Sequence, residues 1–248
     1  MRGRCAPRLR RSACDPYRTI VGMTQTAGRS PRSEDPALGL AIAEPAPLPQ
    51  VEWWTVPVES GGANDDGYGE MVARLRRFLN TVTAARPDSA TVAALTADLA
   101  AWDERLAPTA VSERNQFFGR RPDLPGRGQT MSPVFVVTEA DRKTVRGTVT
   151  FGRYFLGGNG AVHGGAIPLF FDEVLGRLSV TAGRTRARTA YLHTNFRSIT
   201  PVGIELDVQA WFVSEVGRKR VLRAELRHAD LLCAEAEGLF VTLKPGQP

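Results

Sequence analysis

The hydrophobic residues between positions 134 and 243 follow two different periods, and this change of period is the strongest constraint on the fold. Alternating apolar and polar residues predict strands near 134–138, 144–151, 187–199, 204–216, 219–229 and 231–243. One helical segment at about 164–180 interrupts them, and Pro201 and Gly217 mark hairpin turns. A single helix among hairpin-linked strands predicts an α+β fold, in which an antiparallel sheet wraps around a central helix.

The helical segment combines a broad apolar face with one carboxylate on its other side. Its apolar residues recur at helical spacing, namely Ile167, Phe170, Phe171, Val174, Leu175 and Leu178. Asp172 lies about 120° from the centre of that face at 100° per residue. Gly165, Gly176 and Ser179 share its side. Because small side chains let another backbone approach closely, this side predicts packing against the same helix of a second subunit.

An amphipathic helical pair is predicted ahead of the strands, between residues 66 and 107. The first helix spans about 68–84 and is broken by Pro87, whereas Asp88 can cap a second helix that ends at Pro108. We expect the apolar faces of the pair to pack on the domain that follows. Those faces contain Met71, Leu75, Phe78, Leu79 and Val82 in the first helix, and Val92, Leu95, Leu99 and Trp102 in the second. Residues 119–133, rich in glycine and proline, predict a linker.

The positive charge of the chain is confined to its beginning. The formal net charge is +6, but residues 1–32 hold eight Arg against one acid, so the rest is close to neutral. Residues 1–50 lack a sustained period and favour a disordered basic tail. Met23 is a plausible alternative start, in which case residues 1–22 are not translated. The predicted organisation is therefore tail 1–50, helical pair and linker 51–130, and α+β domain 131–248.

Several classes of protein are disfavoured by what the sequence contains. No apolar run approaches the roughly 18 residues of a membrane span, and the neutral folded part gives no reason to expect nucleic acid as a partner. Three cysteines cannot build a disulfide framework, which fits a reducing cytoplasm, and Cys233 is predicted to be a small core residue. The three His and three Cys show no metal-ligand spacing, and no phosphate-loop motif follows Gly157.

The stretch VHGGAIPLFFDEVLG, residues 162–176, resembles the hotdog-fold thioesterases of the phenylacetic-acid-pathway type, which hydrolyse acyl-CoA thioesters. Asp172 stands nine residues after His163, and a strand that opens near Thr189 and ends at Pro201 matches the later part of the pattern. The resemblance covers residues 131–244. It implies a hotdog fold, an acyl-CoA substrate, no cofactor, and a homodimer or dimer of dimers. Many members carry Asn six residues before the His, where this chain has Gly157.

The chemistry of thioester hydrolysis assigns roles to four of these residues. Free N–H groups at a helix start, near Gly164 and Gly165, can stabilise an oxyanion. We expect the Gly165 N–H to be the donor, Asp172 to activate water or attack the carbonyl, and Thr189 to orient the nucleophile. His163 is expected to position the turn. Asp172 is roughly 10 Å along the helix from Gly165 at 1.5 Å per residue, so two antiparallel helices of a dimer would be needed to complete one site.

Five residues are candidates for substrate binding, and each has a structural alternative. Gly164 can admit the carbonyl or serve close packing. Arg218 and Lys219, in a basic hairpin tip, can meet coenzyme A phosphates or be solvated, and the same ambiguity applies to Arg197. Asn159 lies four residues before His163 and belongs to a glycine-rich turn. His193 is predicted to share a strand face with Thr189 and to be a core or interface residue.

Two other functions fit the same fold. The first is a transcriptional regulator that senses acyl-CoA and binds DNA through the helical pair and the Arg-rich tail. Against it, the pair shows no third helix, and Arg74, Arg76 and Arg77 form its only basic cluster. The second is a non-catalytic protein that binds acyl-CoA without turnover.

Overall fold

The computed structural model describes residues 67–244 and 246–247, and it contains the three predicted helices. Helix α1 spans Tyr68–Ala84, α2 spans Ser89–Leu106 and α3 spans Ala166–Ser179. The predicted cap of α2 is confirmed, because the Asp88 carboxylate accepts a hydrogen bond of 2.8 Å from the Thr91 N–H. The predicted basic tail and the alternative start at Met23 lie outside the described residues. None of the described helices is both long and apolar enough to cross a membrane.

Eight strands follow the helical pair. They are β1 Phe135–Ala140, β2 Thr144–Thr150, β3 Leu156–Gly158, β4 Ala161–Val162, β5 Ala187–Phe196, β6 Glu205–Val216, β7 Lys219–His228 and β8 Leu231–Thr242. Six form an antiparallel sheet in the order β1-β2-β6-β7-β8-β5, and β3 and β4 form a small hairpin. The predicted α+β hotdog architecture is confirmed. The β3–β4 hairpin was not predicted, because strands of two or three residues are too short to show alternation.

Helix α3 is the centre of the core, as its apolar face predicts. Phe170, Phe171, Val174, Leu175 and Leu178 are completely buried between the helix and the sheet. The Phe170 ring packs edge-on against Phe135 and Phe151. Burying each such side chain contributes about 1.5–3 kcal/mol, so this face fixes the position of the helix and of everything it carries.

The small residues of α3 do not form the free seam that was predicted for a partner helix. A Cβ on Gly176 would lie 3.7 Å from the Phe240 ring of this chain's own sheet. Ser179 is fully buried, and its hydroxyl donates to the Gly176 carbonyl at 2.7 Å. The sheet therefore covers this side at Ser179, whereas Gly176 and Asp172 are half-buried and Gly165 is exposed. The part from Gly165 to Asp172 is the open half of α3.

Helix α1 packs on the hotdog domain through a different face from the one predicted. Val72 is its buried apolar residue, whereas Met71, Leu75 and Val82 are 49%, 40% and 44% exposed. The contact face is thus rotated by about one residue, or 100°, from the predicted stripe. No side chain of α2 is fully buried. The prediction that both apolar faces pack on the following domain is wrong, because α1 makes its contact through Val72 and the polar side chains of Arg76 and Asn80.

The predicted linker is largely packed. Residues Gly126, Arg127 and Gly128 have φ values of +58°, +59° and +64°, so the chain turns sharply there. Gln129 is buried, and its backbone carbonyl accepts a hydrogen bond from the Arg76 guanidinium of α1. The same guanidinium donates to the Pro125 carbonyl at 3.1 Å. Arg76 therefore ties α1 to the start of the hotdog domain, and burial lowers the pKa of this side chain.

Strand β5 contains a β-bulge that decides which residues face α3. Thr189 pairs with Phe240 and Tyr191 pairs with Leu239, so Ala190 is an extra residue on β5. Thr189 lies on the helix side of the sheet, whereas Tyr191 and His193 lie on the outer side. The prediction that His193 shares a face with Thr189 is wrong, because the bulge interrupts the alternation. His193 is exposed and lines an outer cavity beside Glu237.

Candidate active site

Asp172 and Thr189 meet on the helix side of the sheet. The Thr189 hydroxyl donates a hydrogen bond of 2.8 Å to the Asp172 Oδ1. Asp172 comes from the middle of α3, where it is half-buried, and Thr189 comes from the edge strand β5. The bond leaves the lone pairs of the hydroxyl and the second carboxylate oxygen available to a water molecule. The structure thus brings together the two residues predicted to activate and orient a nucleophile.

The turn before α3 is held by His163. Its N–H donates to the Phe155 carbonyl at 2.7 Å, and its carbonyl accepts from the Ala166 N–H at 2.9 Å. Its ring Nδ1 accepts a hydrogen bond of 3.0 Å from the Gly165 N–H. In a neutral ring the proton is therefore on Nε2, as assigned from this network. These three hydrogen bonds hold the turn together, and the positioning role of His163 in catalysis stays a prediction.

The same hydrogen bond corrects the expected oxyanion donor. The Gly165 N–H points at the His163 ring and is not available to a substrate carbonyl. Within residues 67–244, no hydrogen bond uses the Gly164 N–H, and Gly164 is exposed. The nearest atom to a Cβ on Gly164 would be the Phe196 ring, 3.9 Å away. Gly164, predicted as a substrate-binding residue, is therefore the better candidate for the donor.

Three large apolar side chains in the segments that flank this turn are exposed: Phe196 at 56%, Ile199 at 69% and Leu156 at 40%. Exposed apolar surface next to a glycine-rich turn favours an apolar partner or ligand there. There is no room for a side chain at Gly157, where a Cβ would lie 2.8 Å from the His163 Cα. The asparagine that many hotdog thioesterases carry at this position cannot be accommodated in this turn.

Asn159 occupies a turn and contacts no other site residue in the described structure. It has a φ of +50° at the tip of the β3–β4 hairpin, between Gly158 and Gly160. Asparagine tolerates the left-handed conformation better than most residues, which accounts for its presence there. Nothing in the geometry supports the predicted substrate-binding role.

Arg197, Arg218 and Lys219, the three basic residues predicted to contact coenzyme A, do not lie together beside Asp172 and Gly164 of the same chain. Arg197 forms an ion pair with Glu235 in which Nε lies 3.0 Å from Oε1. Arg218 donates to the Thr242 carbonyl at 2.9 Å, and Lys219 is exposed beside it. This hairpin tip lies near the carboxyl end of α3, since the neighbouring Arg220 donates to the Ser179 carbonyl. His163 is at the other end, about 20 Å away at 1.5 Å per residue.

An ion cluster beside Asp172 was not predicted from the sequence. Arg127 makes a bidentate pair with Glu173, with distances of 2.8 and 2.6 Å. Arg177 lies next to this pair, and its burial lowers its pKa to about 10 although the Glu173 charge opposes that change. The two partners are 46 residues apart, which hides the pair from local patterns. The glycines on both sides of Arg127 were the available signal of an unusual turn.

The described residues contain no group of three or more His, Cys, Asp or Glu side chains that could hold a metal ion. Cys233 is free and buried, as predicted. Two of the three arginines in the basic cluster of α1 are engaged within the chain: Arg74 pairs with Glu70 at 2.6 Å, and Arg76 donates to backbone carbonyls.

Comparisons with known proteins point to one superfamily. The model of the thioesterase superfamily matches residues 159–234. Acyl-coenzyme A thioesterase THEM4 of Bos taurus is 35% identical over 96 residues, which are 38% of this chain and 39% of that protein. The crystal structure of RHA08564, a thioesterase superfamily protein, superposes with a TM-score of 0.62 and 26% identity over 74% of this chain and 97% of its own.

The extent of these matches differs. This chain spans about two fifths of the length of the curated relative. The likeness to RHA08564 covers 74% of the chain, which is more than the hotdog domain alone and so extends into the residues before it. The matches do not specify the phenylacetic-acid branch. They bear out the sequence resemblance at a coarser level: residues 159–234 match the thioesterase superfamily model, and the fold is similar to that of a thioesterase superfamily protein.

Proposed function

We propose that this protein hydrolyses acyl-CoA thioesters at a site shared by two copies of the chain. The observation that carries the proposal is the hydrogen bond between Thr189 and Asp172 of α3, a helix preceded by a turn that offers the Gly164 N–H. The superfamily match over residues 159–234 and the name of the bovine relative support the substrate class. The apolar rim around Gly164 fits an acyl chain.

The proposed step needs only groups present in the site. The oxygen of a water molecule bonds to the thioester carbonyl carbon while Asp172 takes its proton, and the Gly164 N–H stabilises the resulting oxyanion. The carbon–sulfur bond then breaks, coenzyme A leaves as thiolate and takes up a proton, and the free acid remains. If Asp172 itself attacks, the same water later hydrolyses the anhydride. Thr189 holds the carboxylate in either case.

Two copies are required because of distances along one helix. Asp172 lies eight residues after Gly164, roughly 12 Å at 1.5 Å per residue, too far for both to act on one carbonyl. Strand β5 is the edge of the sheet, and an edge of ten residues is a template for pairing with another strand. Pairing β5 with its two-fold copy would place the open half of one α3 opposite that of the other.

The test is the replacement Asp172→Asn, assayed over short, aromatic and long acyl-CoAs. Asparagine keeps an oxygen that accepts the Thr189 hydrogen bond but cannot take a proton, so kcat should fall about 10²–10⁴-fold. Asp207→Asn, on an exposed carboxylate of β6, is the matched control and should keep full activity. Undiminished turnover in Asp172→Asn would remove the role of this residue. Tight binding without turnover by the unmodified protein would favour a non-catalytic acyl-CoA-binding function.

A further inference from the structure

We infer that helix α1, which lies outside the hotdog domain, positions the oxyanion turn through Asn80. This inference rests on the proposed function, because it assigns Asn80 a part in the same site. Asn80 does not touch the reacting atoms. It is a positioning residue that acts through the segment from Gly152 to His163.

The first step is the docking of the Asn80 carboxamide on that segment. Its Oδ1 accepts a hydrogen bond of 3.0 Å from the Tyr154 N–H, and its Nδ2 donates to the Arg76 carbonyl at 2.9 Å. A Cβ on Gly152 would overlap the carboxamide. Glycine at this position therefore provides the space into which α1 inserts its side chain.

The second step carries this contact to the site. Residues Arg153–Phe155 form a 3-10 turn, in which the Phe155 N–H donates to the Gly152 carbonyl at 3.0 Å. The Phe155 carbonyl then accepts the His163 N–H at 2.7 Å. Gly164 follows directly. Two backbone hydrogen bonds thus separate the Asn80 contact from the residue whose N–H is the proposed oxyanion donor.

A cleft of about 230 Å³ lies between α1 and strands β1 and β2, and Leu79, Val149 and Phe155 are among the residues that line it. The Phe155 ring packs edge-on against Phe151 and Tyr154. Beside this cleft, the Asn80 hydrogen bond to the Tyr154 N–H is the directional contact that α1 makes with the segment. Arg76 attaches α1 separately to Gln129 and Pro125, so loss of the Asn80 contact leaves the helix attached.

Asn80→Ala should therefore lower kcat about tenfold with little change in KM, since a displaced oxyanion donor affects the transition state more than binding. Asn80→Asp keeps the acceptor for the Tyr154 N–H and should restore most of the loss. Thr81→Ala is the matched control, because it removes a similar bond to an i−4 carbonyl on the exposed side of α1. Equal kcat in Asn80→Ala and Thr81→Ala would overturn the inference.

A double-mutant cycle tests the contact from both sides. Gly152→Ala should lower kcat by a similar factor in the unmodified protein, because its Cβ displaces the carboxamide. In the Asn80→Ala background the space is empty, so Gly152→Ala should have little further effect. Additive effects would show that the two residues act independently and would contradict the inference.

Hydrogen exchange separates this inference from the proposed function. Asn80→Ala should speed amide exchange in residues 153–165, while exchange in α1 and α3 stays at the level of Thr81→Ala. If the unmodified protein turns over no acyl-CoA, the proposed function fails, and this exchange pattern still decides the structural part. If turnover depends on Asp172 but neither kcat nor amide exchange differs between Asn80→Ala and Thr81→Ala, only the inference fails.

Discussion

Thr189 is the residue whose contribution is most sharply defined by its contacts. It donates to Asp172, and it lies next to the bulge that turns it toward α3. A hydroxyl in this position fixes one carboxylate oxygen and leaves the other free. The carboxylate would otherwise rotate about its side-chain bonds, so orientation is the expected contribution of Thr189.

We expect Thr189→Val to lower kcat about tenfold or more, because valine has nearly the same shape but cannot donate. Thr189→Ser keeps the donor and should retain most of the activity. Steady-state kinetics with one good acyl-CoA substrate would measure both, and thermal unfolding would show that the fold is intact. Equal kcat in the valine and serine variants would mean that the hydrogen bond does not orient Asp172.

At this scale the sequence picked out two residues, Asp172 and Thr189, that the structure brings into contact, but not which backbone N–H before α3 is free. The nine-residue spacing from His163 to Asp172 identifies the carboxylate, and the strand after the helix identifies Thr189. The choice between Gly164 and Gly165 depends on the rotamer of one histidine ring, which no spacing reveals. The contact of Asn80 could not be predicted from local sequence either, since its partner Tyr154 is 74 residues away.

Among the elements, the sheet and α3 are joined by an arginine clamp at the far end of the helix. Arg220 is 6% exposed and donates to the Ser179 and Thr185 carbonyls and to Glu215. Arg184 also binds Glu215, with its Nε 3.0 Å from Oε2. Burial opposes ionisation of Glu215, but the hydrogen bonds and charges of these two arginines outweigh it and lower its pKa.

A pH series on Glu215→Gln should reveal this clamp. A carboxylate with a depressed pKa stabilises the fold above its ordinary value of 4.5 and loses that contribution as the pH falls through the lower folded value. Because the Glu215 side chain is 37% exposed and its ion pairs are partly screened by solvent, the variant should be about 0.5–1 kcal/mol less stable than the unmodified protein at pH 7, and the gap should close in acid. Glu139→Gln, from an exposed pair with Arg146 at 3.4 Å, should cost almost nothing. A gap that persists below the folded pKa would contradict the assignment.

The helices and strands followed from local patterns, whereas their packing did not. Periodicity predicted α1, α2 and the six long strands because each is long enough to show its period. The contact face of α1 was misjudged, because Arg76 and Asn80 dock by hydrogen bonds that hydrophobic spacing cannot report. Side chains of α2 have no buried partner among the described residues, although its sequence carries an apolar stripe.

For the whole molecule the decisive question is whether one site draws on two chains. The edge strand β5 and the open half of α3 lie side by side, so a single two-fold contact could cover both. Such a contact would also cover part of the apolar cluster near Phe196. A chain with half of each site would be inactive alone.

Mixing two inactive variants tests this arrangement. Gly164→Pro removes the proposed donor N–H, and Asp172→Asn removes the base. In a mixed dimer one of the two sites is intact, so random assembly should recover about a quarter of normal activity. Gly164→Ala keeps the N–H and has open space for its Cβ, and it serves as the control. Failure to recover activity, with mixed dimers demonstrated by mass, would place each site within one chain.

The extra residue at Ala190 has a consequence for how this protein can change over time. Before Ala190 the odd-numbered residues of β5 face the helix, and after it the even-numbered residues do, so the alternation changes at this residue. Deleting that one residue would let Tyr191 follow Thr189 directly, and regular alternation would still place Thr189 inward and Tyr191 outward. A single deletion at Ala190 should therefore be tolerated among descendants of this sequence, whereas a deletion elsewhere in β5 would reverse the faces of the residues between it and the bulge.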